Sequence, residues 1–162
     1  MARDASSPYR FGDLLALARR AWVLRMAREL EARGYPGYKI SDAATVRTLL
    51  AGPAPVGTFA GILGVSRQAA RKVARGLERR GYATTERDAS DARRVNVSLT
   101  PRGVDYARAV TAVIRELNVE LADAVTAEQL VAVDAVLRAA LENEPRLKPA
   151  GARIRPPHEP ER

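Results

Sequence analysis

Residues 63–82 read "LGVSRQAARKVARGLERRGY". This run decides the fold, because a turn signal, a helix cap and a periodic helix follow one another without interruption. Gly64 gives access to positive φ and so permits a sharp turn. Ser66 is a good N-cap, since its hydroxyl can accept from a free backbone N–H two or three residues on. Ala69, Ala70, Val73 and Leu77 then recur as a narrow inward stripe. Arg67, Arg71 and Arg75, spaced by four, share an outward face, with Gln68 and Lys72 beside it. Gly81 stops the helix, and Arg79 and Arg80 stand in its last turn, where cations suit the helix dipole. Six basic residues thus fall in the eighteen positions from Val65 to Tyr82. Like charges at helical spacing repel. That repulsion is relieved when a polyanion lies against the face.

The segments on either side fit around this helix. Phe11 to Arg33 has a helical pattern, with Leu14, Leu17, Ala18, Ala21, Trp22, Arg25, Met26 and Leu30 recurring at three and four. "GYPGY" (34–38) breaks it. Ser41 or Asp42 can cap a second helix carrying Ala43, Val46, Leu49 and Leu50, which "AGPAP" (51–55) ends. A short helix over Gly57 to Leu63, with Phe59, Ile62 and Leu63 inward, leads into the turn. After the basic helix, Tyr82 to Arg87 and Arg94 to Thr100 read as two strands around the polar loop "DASDAR" (88–93), with Val95, Val97 and Leu99 alternating. Thr100 and Pro101 open a helix over Arg102 to about Ala124, on a stripe of Val104, Ala107, Val110, Ile114, Leu117 and Leu121. Thr126 with Gln129 forms a capping-box pattern before a last helix to about Asn143, in which Leu130, Val133, Leu137, Ala140 and Leu141 are apolar. Residues 1–8 read as a flexible tail. The Pro- and Arg-rich residues 145–162 read as a disordered basic tail.

Charge is unevenly placed. The 162-residue chain carries a formal net charge of +8. Gly64 to Gly103 holds ten basic residues against four acidic ones, whereas Val104 to Glu144 holds three against eight. A basic middle beside an acidic helical segment favours a polyanion-binding surface over a merely solvated face. The chain has no cysteine, which excludes disulfides and thiolate metal sites. Its single histidine, His158, sits in the C-terminal tail, so no metal site is expected. There is no Gly-rich phosphate loop, and the acids after Val104 are spread along amphipathic helices. No enzyme activity and no cofactor are therefore expected. The longest apolar run is too short to span a bilayer, the N-terminus lacks the apolar stretch of a signal peptide, and a cytoplasmic location is the simplest reading.

The order of elements is helix, helix, short helix, tight turn, basic helix, β-hairpin, helix, helix. It predicts a mainly α protein with a small β-hairpin wing, in which the second helix of a helix-turn-helix would enter a DNA major groove. Here "LGVSRQAARKVARGLERRGY" followed by "RDASDARRVNVSLTPRG" (87–103) resembles the MarR (multiple-antibiotic-resistance regulator) family of bacterial transcription factors. Asp91-x-Arg93 followed by Leu99-Thr100-x-x-Gly103 matches that family's wing pattern. The close match spans about residues 55–103, and helix order extends it to about residue 143.

The resemblance implies a winged helix-turn-helix homodimer. Residues 9–36 and 101–144 would form a helical dimerisation region, and 37–100 the DNA-binding lobe. Two basic helices would occupy successive major grooves of a pseudo-palindromic operator. Carried over by position, Ser66, Arg67, Gln68, Arg71 and Lys72 would face bases and nearby phosphates, with Arg75 on phosphate. Arg93 would hold the wing's minor-groove position, Asp91 would orient that tip, and Arg94 would contact the backbone. Gly76 departs from the pattern, where relatives often carry a basic side chain; it removes one phosphate contact and loosens the helix. Trp22 and Met26 read first as dimer-core residues. With Arg25 and Arg47 they are also candidates for a pocket that takes a small aromatic or anionic effector. The implied function is a sequence-specific double-stranded DNA-binding regulator, usually a repressor. The alternatives are a ligand-independent architectural DNA binder and a winged-helix protein-interaction module.

Overall fold

The computed structural model describes residues 10–87 and 94–142. Six helices and three short strands follow in the order α1 (Phe11–Ala32), α2 (Ile40–Leu50), β1 (Ala54–Pro55), α3 (Val56–Leu63), α4 (Arg67–Arg79), β2 (Ala83–Arg87), β3 (Val95–Leu99), α5 (Pro101–Asp123) and α6 (Ala127–Glu142). The expected α-rich winged architecture is present. The expected hairpin β2–β3 pairs antiparallel, with Ala83 opposite Leu99 and Arg87 opposite Val95. The wing also has a strand that the sequence reading missed. Ala54 and Pro55 pair with Val97 and Asn96, giving the order β1-β3-β2. Two residues are too few to show alternation, and Pro is tolerated only because β1 is an edge strand.

The turn signals act as predicted. Gly64 takes φ 62°, and the Ser66 hydroxyl accepts from the Ala69 N–H at 3.2 Å. Gly81 takes φ 75°, which lets the Tyr82 N–H return to the Leu77 carbonyl at 2.9 Å. Thr100 caps α5 by accepting from the Gly103 N–H at 3.0 Å, while its own hydroxyl donates to the Gly81 carbonyl at 2.7 Å. Thr126 and Gln129 form the expected reciprocal box at α6. Elsewhere the reading needs correction. Ile62 is 45% exposed rather than inward, and Val56 takes the buried place beside Phe59. Neither Ser41 nor Asp42 is the N-cap of α2. The cap is Lys39, and Asp42 stands at the third helical position with its carboxylate accepting the Lys39 N–H at 3.1 Å.

The core gathers Met26 and Leu30 of α1, Val46 of α2, Phe59 of α3, Leu77 of α4, Val97 of β3, and Tyr106, Val110 and Val113 of α5. In contrast, Leu14 and Leu17 at the start of α1 are exposed, as is Leu121 of the predicted α5 stripe. Every residue from 118 to 142 is exposed, α6 included. The apolar spacing in α6 is real, but no described residue of its own chain buries it.

Asp42 is the polar centre of this core. It is only 1% exposed and accepts four hydrogen bonds. Besides the Lys39 N–H, its carboxylate takes both terminal nitrogens of Arg80 at 2.7 and 3.0 Å and the Tyr106 hydroxyl at 2.8 Å. Arg80 also donates to the carbonyls of Gly76 (3.0 Å) and Gly37 (2.9 Å). Arg80 therefore does more than meet the helix dipole: it turns inward and its side chain is only 20% exposed. Burial works against its charge, but the Asp42 carboxylate outweighs this and raises the guanidinium pKa. Burial first, and then the Asp42 charge, raise the Tyr106 phenol as well. The same two causes push Tyr38 up to about 12. Tyr106 stacks on Tyr82 with centroids 4.1 Å apart, and Tyr35 closes the cluster at 5.5 Å from Tyr106.

Two outcomes follow for stability. A Cβ on Gly103 would lie 1.8 Å from the Tyr82 carbonyl oxygen, and backbone cannot retreat as a flexible side chain can. Gly103→Ala is expected to cost about 3 kcal/mol or more in urea unfolding. By contrast, a Cβ on Gly76 meets nothing within 4 Å, so Gly76→Ala should raise stability by about 0.5–1 kcal/mol. The phenols set a pH limit. Their folded pKa values exceed the unfolded value of about 10, so the folded state holds their protons longer. Their contribution is complete below pH 10 and is lost as pH rises toward 12 and beyond. Urea midpoints measured at pH 8, 10 and 11.5 should fall only in the upper part of that range, and less steeply in Tyr38→Phe.

Candidate nucleic-acid interface

The outward face of α4 is cationic because the inward face is committed. Ala70, Ala74 and Leu77 are buried against the core, which leaves Arg67, Gln68, Arg71, Lys72 and Arg75 on the exposed side. Ser66 is exposed at its start. Among the described residues, none of Arg67, Arg71, Lys72, Arg75 and Arg94 has an ion-pair partner.

Two open clefts flank this helix. One, of about 570 Å³, lies between the start of α3, the base of the wing and α4, and is bordered by Thr58, Arg67, Arg71 and Arg94. The other, of about 780 Å³, is bordered by Ser66, Gln68, Arg71, Lys72, Arg75 and Arg79. Arg71 stands on the ridge between them and borders both. Arg79, unlike Arg80, remains exposed and extends the second cleft. The structure thus brings together Ser66, Arg67, Gln68, Arg71, Lys72, Arg75 and Arg94. Asp91 and Arg93 lie outside the described residues.

The four candidate pocket residues are placed differently. Met26 is wholly buried in the core, and Trp22 is half-buried against it. Arg25 pairs with Glu120, and Arg33 pairs with Glu116, so the two arginines tie α1 to α5 on the surface. Arg47 borders a shallow concavity of about 370 Å³ with Thr111, Ile114, Arg115, Asn118 and Val119. Trp22, Arg25 and Met26 do not line that concavity. Arg115 was missed in the sequence because it reads as one more solvated charge on an amphipathic helix. Arg80 and Asp42 were missed for another reason: nothing local joins positions 38 apart. Among the described residues, no group of three or more His, Cys, Asp or Glu could hold a metal ion.

No family model matches the sequence, and no curated protein matches it. Solved structures do match the fold. The MepR–DNA complex of S. aureus superposes with a TM-score of 0.72 at 22% identity, covering 83% of this chain and 98% of that one. PcaV, a transcriptional regulator from Streptomyces coelicolor solved in complex with its natural ligand, gives 0.68 at 25% identity over 89% of this chain and 99% of that one. A MarR mutant from E. coli gives 0.60 at 17% identity over 84% and 99%. Nearly the whole length of each of these structures finds its counterpart here. The chain has the fold of the MarR-family transcriptional regulators.

Proposed function

We propose that the chain is a sequence-specific double-stranded DNA-binding transcriptional regulator, a repressor that acts as a homodimer. The observation that carries this reading is the row of cations on α4, without ion-pair partners among the described residues, between two open clefts, in a fold shared with MepR solved on DNA. A helix of thirteen residues is about 20 Å long and about 10–12 Å across with its side chains, a size that a major groove about 12 Å wide admits. Arg67, Gln68 and Arg71 then reach base edges. Arg pairs with guanine O6 and N7, and Gln with adenine N6 and N7. Ser66, Lys72, Arg75 and Arg94 hold phosphates. Arg93 enters the adjacent minor groove, with Asp91 orienting the wing tip.

The dimer is supported by the apolar faces at the start of α1, the end of α5 and along α6, which no described residue covers. Residues 9–36 and 101–144 make up this region, and 37–100 the DNA-binding lobe. Release by a small aromatic or anionic effector completes the reading. Arg47 with Arg115 beside Ile114 and Val119 suits an anion with an apolar body, and PcaV was solved with a ligand. The site of action is the cytoplasm; among the described residues no helix is long and apolar enough to cross a membrane.

Fluorescence anisotropy on the duplex beside the chain's own gene, against a scrambled duplex and across a salt series, tests this function. Selective binding is expected, with Arg71→Glu abolishing it. Arg75→Ala should weaken both duplexes alike and lower the salt slope by about 1, whereas Gln68→Ala should lose about 1–3 kcal/mol of discrimination at one base pair only. Equal, salt-fragile binding to both duplexes would instead fit an architectural binder or a duplex that is not the operator, and selection of sites from a random library separates the two. Light scattering tests the dimer: the wild type should run at twice the chain mass, and Val133→Glu with Leu137→Glu at the chain mass.

A further inference from the structure

We infer that Asp42, Arg80 and Tyr106 are positioning residues for DNA recognition, fixing the angle at which α4 leaves α5 and so the separation of two recognition helices in a dimer. This rests on the DNA-binding reading above and adds to it the part of the chain that sets half-site spacing.

The argument starts from what a buried ion pair is good for. Taking Asp42 and Arg80 out of water costs nearly as much as their attraction returns, and an apolar trio of similar volume would hold a core as well. What the polar arrangement supplies is direction. The Arg80 fork meets both oxygens of one carboxylate at 2.7 and 3.0 Å, a planar two-point contact with one good orientation. The Tyr106 hydroxyl fixes the same carboxylate from α5, and the Lys39 N–H fixes it from the start of α2. Among the described residues, no buried side-chain polar atom is left without a partner, so the geometry has no slack to take up. Tyr82, which follows α4 directly, stacks on Tyr106, and the Thr100 hydroxyl holds the Gly81 carbonyl. The C-terminal end of α4 is therefore clamped to the first turns of α5.

Its other end is not clamped in this way. Ser66, Arg67 and Gln68 lie on the far side of a helix about 20 Å long. A tilt of about 10° at the hub swings them by roughly 3 Å, close to the rise of one base pair, ~3.4 Å along the duplex. Two such helices must sit about 34–36 Å apart to read successive turns. Small errors at the hub therefore become register errors at the bases.

The experiment compares wild type, Arg80→Lys and Tyr106→Phe on duplexes carrying two selected half-sites whose spacing is varied one base pair at a time, beside a single half-site and a scrambled duplex. Arg80→Lys keeps the charge but loses the fork; Tyr106→Phe keeps the ring and its stacking. Thermal melting and light scattering at the assay temperature establish that each variant is folded and dimeric, and a variant that fails them is replaced by Asp42→Asn. The expected result is a flattened or shifted spacing profile, at least a tenfold loss at the wild-type optimum, and less than a twofold change on the single half-site and the scrambled duplex. An unchanged profile, or equal loss on every duplex, would overturn the inference while leaving the DNA-binding function intact. A wild type that selects no duplex would overturn both.

Discussion

One carboxylate holds the parts of this molecule in register. Asp42 receives Arg80 from the end of α4, Tyr106 from α5 and a backbone N–H from its own helix start, while Arg80 reaches on to the loop after α1. Removing Arg80 would strand the Asp42 carboxylate, which is only 1% exposed, at a cost on the order of 3–5 kcal/mol. The arrangement therefore fixes which packing of the helices is acceptable more than it adds to the stability of the packing. An apolar core alone tolerates sliding and repacking; a forked ion pair in its midst does not.

The electrostatics of the chain divide accordingly into two kinds of arginine. Arg80 is committed to the interior, and Arg25 and Arg33 to pairs with Glu120 and Glu116 across α1 and α5. Those of α4 and the base of the wing are left open, on ridges beside the clefts. Exposed pairs such as Arg25–Glu120 add little to stability. They join α1 to α5 on the surface.

Much of this was legible before any coordinates. Gly64, Ser66, Gly81 and Thr100 signal their turns and caps through local backbone chemistry, and the alternation of Val95, Val97 and Leu99 marks a strand. The cationic row on α4 follows from spacing alone. What stayed hidden depends on contacts between distant positions. Asp42 looked like a helix cap because a carboxylate near a helix start usually is one; its partner Arg80 is 38 residues on, and Tyr106 a further 26. β1 is only two residues long and contains a proline, so no pattern could announce it. Ile62 belongs to an eight-residue helix, too short for its periodicity to say which of several apolar residues faces inward. The apolar spacing of α6 marks a stripe, but a stripe does not tell whether its cover lies in the same chain.

The small strand β1 has a consequence out of proportion to its length. By pairing with β3 it brings residues 54 and 55 beside 96 and 97, so that α3, α4 and the whole wing lie within one loop closed at its base. β3 is thereby held from both sides, by β1 and by β2. The seam adjoins α3, which starts in the next residue, so β3 is tied to the start of the helix-turn-helix as well as to β2. In mechanical terms the seam closes the chain from residue 55 to residue 96 into a frame with α3, α4 and β2 on its perimeter.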